Sequence, residues 1–286
     1  MLARQRHAFI LERVNTEGGV RVSDLVRELG VSDMTVRRDL EYLEGRGVVE
    51  KVHGGATAVS GTALFEPGFT TKSALRQSEK EAIAEAAARL VEPRMAIAIS
   101  AGSTTYALAR RLADVVGLTV VTNAVRIADV LHEIGRSDQT IILTGGVRTP
   151  SDALVGPFAV AALRMVHVDV VFMGIHGMDE ASGFTSPNVL EAETDRTLIA
   201  AGRRLVVVAD HTKWGIVGLS TIAQLDEADV LITDSGLTAH ARESIRAHVR
   251  ELTVVGPKGV ALPVEGVVAS EDGQGARDGT DGSAAT

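Results

Sequence analysis

The chain has 286 residues, 45% of them hydrophobic, enough for one large or two ordinary domains with sizeable buried cores. It contains no cysteine, which excludes disulfides, thiolate metal sites and a thiol nucleophile; its eight histidines are scattered without metal-ligand spacing, so neither a metal nor a cofactor is expected. The formal charge of −8 is unevenly spread: residues 1–56 carry nine basic and nine acidic side chains, leaving twenty basic against twenty-eight acidic in the remainder.

Residues 4–15 read as a helix with Phe9, Ile10 and Val14 inward. Next comes VRVSDLVRELGVSDMTVRRDLEYLEGRGVVEKVHGGA, residues 20–56. Ser23 is placed to cap a short helix with Asp24 in its first turn and Leu25 and Leu29 on one face. Gly30 supplies the left-handed residue that ends a helix, and Val31 fits the angle that follows. Ser32 caps a second helix, with Asp33 where the helix dipole favours negative charge. Val36, Leu40 and Leu43 face inward at helical spacing. That turns Met34, Thr35 and Arg38 outward near the helix start, with Arg37 on the flank, as a recognition helix does in a major groove. Residues 48–52 alternate as a strand, Gly54-Gly55 makes a turn, and 56–59 returns. Such a hairpin, carrying Lys51 and His53, is a wing placed for the phosphate backbone. A structural helical hairpin with solvated charges is the plainer reading, but cap, inward face, outward basic turn and wing agree on double-stranded DNA. Aromatic content of 3% argues against stacking platforms for RNA or single strands. The electroneutral reading unit leaves phosphate attraction to a few placed residues, so affinity is expected from a homo-oligomer on repeated half-sites.

This segment resembles the N-terminal domain of DeoR-type transcriptional regulators. The resemblance rests on Val31-Ser32, Thr35-Val36-Arg37-Arg38-Asp39-Leu40, Leu43, Gly47 and His53-Gly54-Gly55-Ala56.

Residues 60–77 lack sustained periodicity and contain Gly61, Pro67 and Gly68, the expected linker between a reading domain over 1–59 and a larger domain over 78–256. Ser78-Glu79-Lys80-Glu81 has capping-box spacing and opens a helix to about Leu90. Short apolar runs then alternate with helical patterns. Strands are expected at 95–99, 118–121, 140–143, 168–173, 205–209, 230–233 and 252–255. Helices are expected at 104–113, 124–134, 158–166, 189–201 and 238–249. The fold class is therefore α/β: a small winged helix-turn-helix domain and a larger, mostly parallel, doubly wound sheet. Residues 266–286, rich in Gly, Asp, Ser and Ala, read as a disordered tail.

In such sheets ligands sit outside the carboxyl ends of the strands. The first strand runs into Gly102, Ser103, Thr104 and Thr105, whose amides, hydroxyls and helix start suit a phosphate, although an ordinary glycine turn capped by Thr104 accounts for the same residues. Later strand ends bring Thr122 and Asn123, Gly145 and Gly146, Gly174 and His176, and finally Asp210-His211-Thr212-Lys213. Together these suggest an anionic, polyhydroxylated ligand with Lys213 as counter-charge; a lone lysine is more often simply solvated. Trp214 reads as a core or lid aromatic.

The resemblance extends over this part through Gly102-Ser103-Thr104-Thr105, Thr122-Asn123, Gly145-Gly146, Gly183-Phe184-Thr185, Glu191-Ala192-Glu193 and Asp210-His211-Thr212-Lys213. DeoR-type effector domains are similar to ribose-5-phosphate isomerase and glucosamine-6-phosphate deaminase folds and generally sense phosphorylated sugars. The resemblance thus implies a repressor of carbohydrate-metabolism genes released by a sugar phosphate. Two departures stand out: the family commonly has Asp where this chain has Ser100, and Lys near Asp195. A regulator needing no ligand is one alternative they raise. The other is a sugar-phosphate isomerase or deaminase with an accessory DNA-binding domain, in which His176, Asp179 and Glu180 would supply the acid–base groups. Against it, Asp179-Glu180 precede Ala181-Ser182-Gly183 as in a solvated turn, so no catalytic residue is assigned. The opening MLARQRHAFILERV has charges where a signal peptide needs an apolar stretch, and no apolar run reaches spanning length, so a cytoplasmic protein without membrane association is expected.

Overall fold

A computed structural model describes residues 2–17, 19–46, 48–57, 68–256 and 259–260. The expectations for Gly47, for the return of the wing at 58–59, for 60–67 and for the tail at 266–286 lie outside the described residues.

The first unit comprises α1 (Ala3–Glu17), β1 (Gly19–Arg21), α2 (Val22–Leu29), α3 (Asp33–Gly45), β2 (Glu50–Val52) and β3 (Gly55–Thr57). Ile10, Val14, Leu25, Leu29, Val36, Leu40 and Leu43 share one buried cluster, with Phe9 and Val31 partly buried at its margin. Gly30 ends α2 in the left-handed conformation, its amide donating to the Val26 carbonyl, and Ser32 caps α3 by accepting from the Thr35 amide. Ser23, however, caps nothing. The helix begins two residues earlier, after Arg21 and with no side-chain cap, because the Gly54 carbonyl takes up the Val22 amide at 2.9 Å. The wing hairpin also gains a strand that the sequence does not announce: the antiparallel order is β1-β3-β2. Val48 and Val49 are buried at its root, so pairing is confined to Glu50–Val52.

The second unit opens with α4 (Phe69–Ala74) and α5 (Gln77–Ala88). Residues expected within a linker are thus helical. Phe69 is buried, edge-on to Tyr106 with ring centroids 5.3 Å apart, and the Arg126 guanidinium lies over the Phe69 ring, 4.6 Å from its centroid. The capping box at Ser78 does not form: α5 starts two residues earlier in register, after Arg76 in a left-handed conformation (φ 50°), and Ser78 instead donates to Glu79 at 2.7 Å.

The remaining elements are β4 (Ala96–Ile99), α6 (Ser103–Arg111), β5 (Thr119–Thr122), α7 (Val125–Ile134), β6 (Thr140–Leu143), β7 (Val147–Arg148), β8 (Leu154–Val155), α8 (Pro157–Leu163), β9 (Val170–Gly174), β10 (Gly177–Asp179), β11 (Gly183–Ser186), α9 (Val189–Ala200), β12 (Leu205–Val208), β13 (Ser220–Ala223), β14 (Val230–Asp234), α10 (Ala239–Arg246) and β15 (Leu252–Val255). Seven strands pair in parallel in the order β15-β14-β12-β9-β4-β5-β6. Alternate residues of one strand serve opposite cores: Ile97 and Ile99 pack with α5 and α6, while Ala98 joins Leu198, Ala241 and Ile245 of α9 and α10. A sheet buried on both faces needs apolar residues in both phases, which is why these strands read as continuous runs. Two small antiparallel sheets, β7-β8 and β10-β11-β13, border the main one.

Candidate functional site: a DNA-reading face and an anion pocket

The outward face of α3 is built from its cap. Ser32 accepts from the Thr35 amide at 3.3 Å, and the two hydroxyls meet at 2.9 Å, so the first turn is fixed. Met34 is 68% exposed, Arg38 is exposed, and Thr35 lies half-buried between them. Arg37 is held along the helix by Asp33, Nε to Oδ1 2.5 Å, and this pairing raises its pKa.

What orients this face is a residue that periodicity does not single out. Asp39 points inward and is buried, accepting from Arg6 Nε at 2.6 Å, from Arg6 Nη2 at 3.1 Å and bonding His7 Nε2 at 2.8 Å. Burial alone would raise its pKa, but the hydrogen bonds and charges of Arg6 and His7 outweigh burial and hold it below the ordinary range. His7 also stacks on Tyr42 at 4.6 Å, so α1 is locked to α3. On the wing, Lys51 lies 3.3 Å from Glu41 and 4.0 Å from Glu44, bracing β2 against α3, and His53 is exposed at the turn.

In the larger unit, strand order reverses between β4 and β9, the crevice where open α/β sheets bind ligands. Ser100 is buried there, its Oγ accepting from the Gly174 amide at 2.9 Å and so tying the two strand ends together. Gly102 precedes α6, whose first-turn amides at Ser103, Thr104 and Thr105 have no intrahelical acceptor. Ser103 is half-buried; Thr104 and Thr105 are buried. The remaining polar groups mostly hold the framework. The Thr105 hydroxyl donates to the Gly102 carbonyl at 3.1 Å and that of Thr122 to the Ile99 carbonyl at 2.7 Å. Asn123 accepts from the Ala101 amide at 3.1 Å and donates to the Leu154 carbonyl at 3.3 Å. Gly145 and Gly146 are exposed, the latter backing onto the main chain of Val155.

His176 and Lys213 do come together. The turn that presents Lys213 is fixed by Asp210, which accepts from the Thr212 amide at 3.1 Å, and by His211, whose Nδ1 meets Asp234 at 2.7 Å. The hydrogen bond to Asp234 raises the His211 pKa. His176 is pushed down to about 3, by burial first and then by the positive charges of Lys213 and Lys72, and its buried Nδ1 has no hydrogen-bond partner among the described residues. Lys72, Arg76 and Lys80 are the residues sequence reasoning missed. Lys80 is buried, its Nζ donating to the carbonyls of Lys72 at 2.5 Å and Leu75 at 2.7 Å, and it acts with Lys213 to keep Asp210 ionised against burial. No sequence signal links them: α4 ends at Ala74 and Arg76 is left-handed, so 72, 76 and 80 do not lie along one helix. Asp179 accepts from the Ala181 and Ser182 amides, both at 3.0 Å, closing the β10–β11 hairpin, and Glu180 is exposed.

Comparison with known proteins gives this arrangement a family. A DeoR-like helix-turn-helix domain model matches residues 6–62, and the model of the DeoR C terminal sensor domain matches 75–235. The chain is 32% identical over 254 residues to a putative aga operon transcriptional repressor of Escherichia coli O157:H7, covering 88% of this chain and 94% of that protein. It is 36% identical over 248 residues to the HTH-type transcriptional regulator GlpR of Haloferax volcanii, covering 86% and 96%. Among solved structures, a D-ribose-5-phosphate isomerase in complex with phospho-erythronic acid is similar over 47% of this chain at 17% identity and a TM-score of 0.36; the chain spans about half of that protein (52%). With the reading unit matched over 6–62 and most of the larger unit over 75–235, the chain belongs to the DeoR family of transcriptional regulators.

Proposed function

We propose that this regulator is a repressor of carbohydrate-metabolism genes that is released from its operator by a phosphorylated sugar. Met34, Thr35 and Arg38, flanked by Ser32 and Arg37, read base edges; Lys51 and His53 of the wing meet phosphate. Residues 1–59 form the reader and 78–256 the sensing and oligomerising body, working in the cytoplasm as a homo-oligomer. The phosphate sits on the α6 first turn at Gly102, Ser103, Thr104 and Thr105. Thr122, Asn123, Gly145, Gly146 and Gly174 shape the crevice, Lys213 balances the charge, and His176 bonds a sugar hydroxyl through its unpartnered nitrogen.

The observation that carries this reading is the approach of Lys72 and Lys213 to a half-buried, neutral His176 whose Nδ1 is buried without a hydrogen-bond partner among the described residues, with Lys80 and Lys213 both acting on Asp210 beside it. A cationic pocket whose one titratable ring stays uncharged suits an anion bearing hydroxyls. Release then follows by linkage: a ligand preferring the non-binding arrangement shifts the oligomer by no more than its differential affinity. Binding rather than turnover is supported by Asp179, whose carboxylate is committed to a hairpin, and by Glu180 facing solvent, which leaves His176 without a partner acid. The test is thermal-shift screening with pentose and hexose phosphates beside the same sugars without phosphate and inorganic phosphate alone. A ligand of the native state raises the melting point. Stabilisation by a sugar phosphate only is expected; none by any of them, or turnover of ribose 5-phosphate, overturns the reading.

A further inference from the structure

The seven-stranded sheet ends on β15 at one side and β6 at the other. Val254 and Val255 of β15 are buried, whereas Thr140, Ile142 and Leu143 of β6 are exposed. An edge strand offers a row of unpaired amides and carbonyls, and soluble proteins blunt such edges with lysine, proline or a bulge. The sequence Thr-Ile-Ile-Leu has none of these, and its register with β5 is regular. The apolar surface continues past the strand. Gly145 follows, with the Phe158 side chain beside it (a Cβ built there would stand 3.7 Å from that of Phe158). Phe158 is 77% exposed and Val147 is 66% exposed. The charges at the margin are already paired within the chain: Arg148 and Arg126 with Asp152, and Arg136 with Asp138 at 2.8 Å. Contiguous exposed apolar strips of this kind mark contact surfaces.

We propose that this strip is the two-fold interface between copies of the chain: β6 pairs antiparallel with β6 of a second copy, Ile142 opposite Ile142 at the two-fold axis, extending the sheet through both bodies, and Val147 and Phe158 close over the join. Three observations favour a second copy over another partner. An uncharged strand laid against itself sets no like charges opposite one another, which matters for a chain carrying −8. A two-fold contact requires a self-complementary patch, and a short strand pairing with its own reversed image is one. The electroneutral reader has a single recognition helix and needs a second copy to grip two half-sites, a reason that rests on DNA reading and is independent of any ligand.

Sedimentation equilibrium of the full chain at micromolar concentration is expected to give the mass of two chains or an even multiple. The double variant Val147→Glu, Phe158→Glu changes only exposed side chains; it should halve that mass with the melting point retained. Val189→Glu with Leu219→Glu, exposed apolar side chains outside the strip, should leave the mass unchanged. A second measurement is insensitive to lost stability. The natural chain has no cysteine, so Ile142→Cys under mild oxidation should yield a disulfide-linked dimer on a non-reducing gel. A monomeric wild type, an undiminished mass in the Val147/Phe158 variant, dissociation by the Val189/Leu219 variant, or no cross-link at position 142 would each overturn the proposal.

Discussion

The reader and the sensor body solve the placement of polar groups in opposite ways. On α3 the roles are divided by direction: Asp39 faces inward and holds the helix, while Met34 and Arg38 are exposed on its outward face. In the crevice proposed to hold the effector, one layer would do both jobs. Ser100, Thr105, Thr122 and Asn123 are hydrogen-bonded into the strand ends they would be expected to offer a ligand. Stability and function should therefore be separable by mutation in the reader and entangled in the body.

The largest effect expected from that contrast is at Asp39. Asp39→Asn replaces the buried carboxylate that Arg6 and His7 hold with a neutral amide, a loss of about 1.5–3 kcal/mol, the range for hydrogen bonds to a charged group. Denaturant unfolding of the reader measures it, and a loss below about 1 kcal/mol, the scale of an exposed ion pair, would show that the clamp is not what fixes α3. Arg38→Ala should do the reverse: about 1–3 kcal/mol of specific operator affinity lost, by fluorescence anisotropy, with the melting point unchanged. A fall in melting point alongside it would break the division of roles.

In the body the test is His176. Its pKa lies at about 3 against an ordinary 6.5, so between those values the unfolded chain takes up a proton that the folded chain refuses. Stability is thus present above pH 6.5 and drains away as the pH falls toward 3. His176→Gln should flatten that decline by up to about 1.4 kcal/mol per pH unit, read from denaturant midpoints across the window. An unaltered slope would mean the ring is not sequestered. Smallest is Lys51→Ala, expected to reduce the log–log salt slope of DNA binding by about one. Because Glu41 and Glu44 already balance this charge, Glu41→Gln should strengthen binding modestly; an identical slope in Lys51→Ala would remove the wing from the interface.

Much of this was legible in sequence, for physical reasons that also mark where legibility stops. The inner strands of the parallel sheet stood out because burial on both faces demands unbroken apolar runs, β6 at the exposed edge because its Ile-Ile-Leu run is apolar all the same, and the helices between them because one face only is buried. Gly30 and Ser32 were readable as stop and cap because each acts on its immediate neighbours. Ser23 and Ser78 were misread because a helix start is decided by the backbone that meets it, and the meeting backbone at Val22 comes from Gly54, far along the chain. The strand β1 and the helix α4 are too short to show a period. The cationic pocket was half legible: Lys213 lay in a recognisable strand end, but Lys72 and Lys80 come from a stretch with no apolar pattern, and only the fold brings them to His176 and Asp210.

Gly55 has a mechanical consequence. A Cβ at that position would stand 2.0 Å from the Val20 carbonyl oxygen, so the turn end of the wing hairpin is pressed directly against the backbone that leads into α2, and the Gly54 carbonyl pins the first amide of that helix. The hairpin has no slack with which to swing. Whatever moves the reader along DNA moves wing and helices as a single stiff tile, and even the smallest side chain at residue 55 would tilt one against the other.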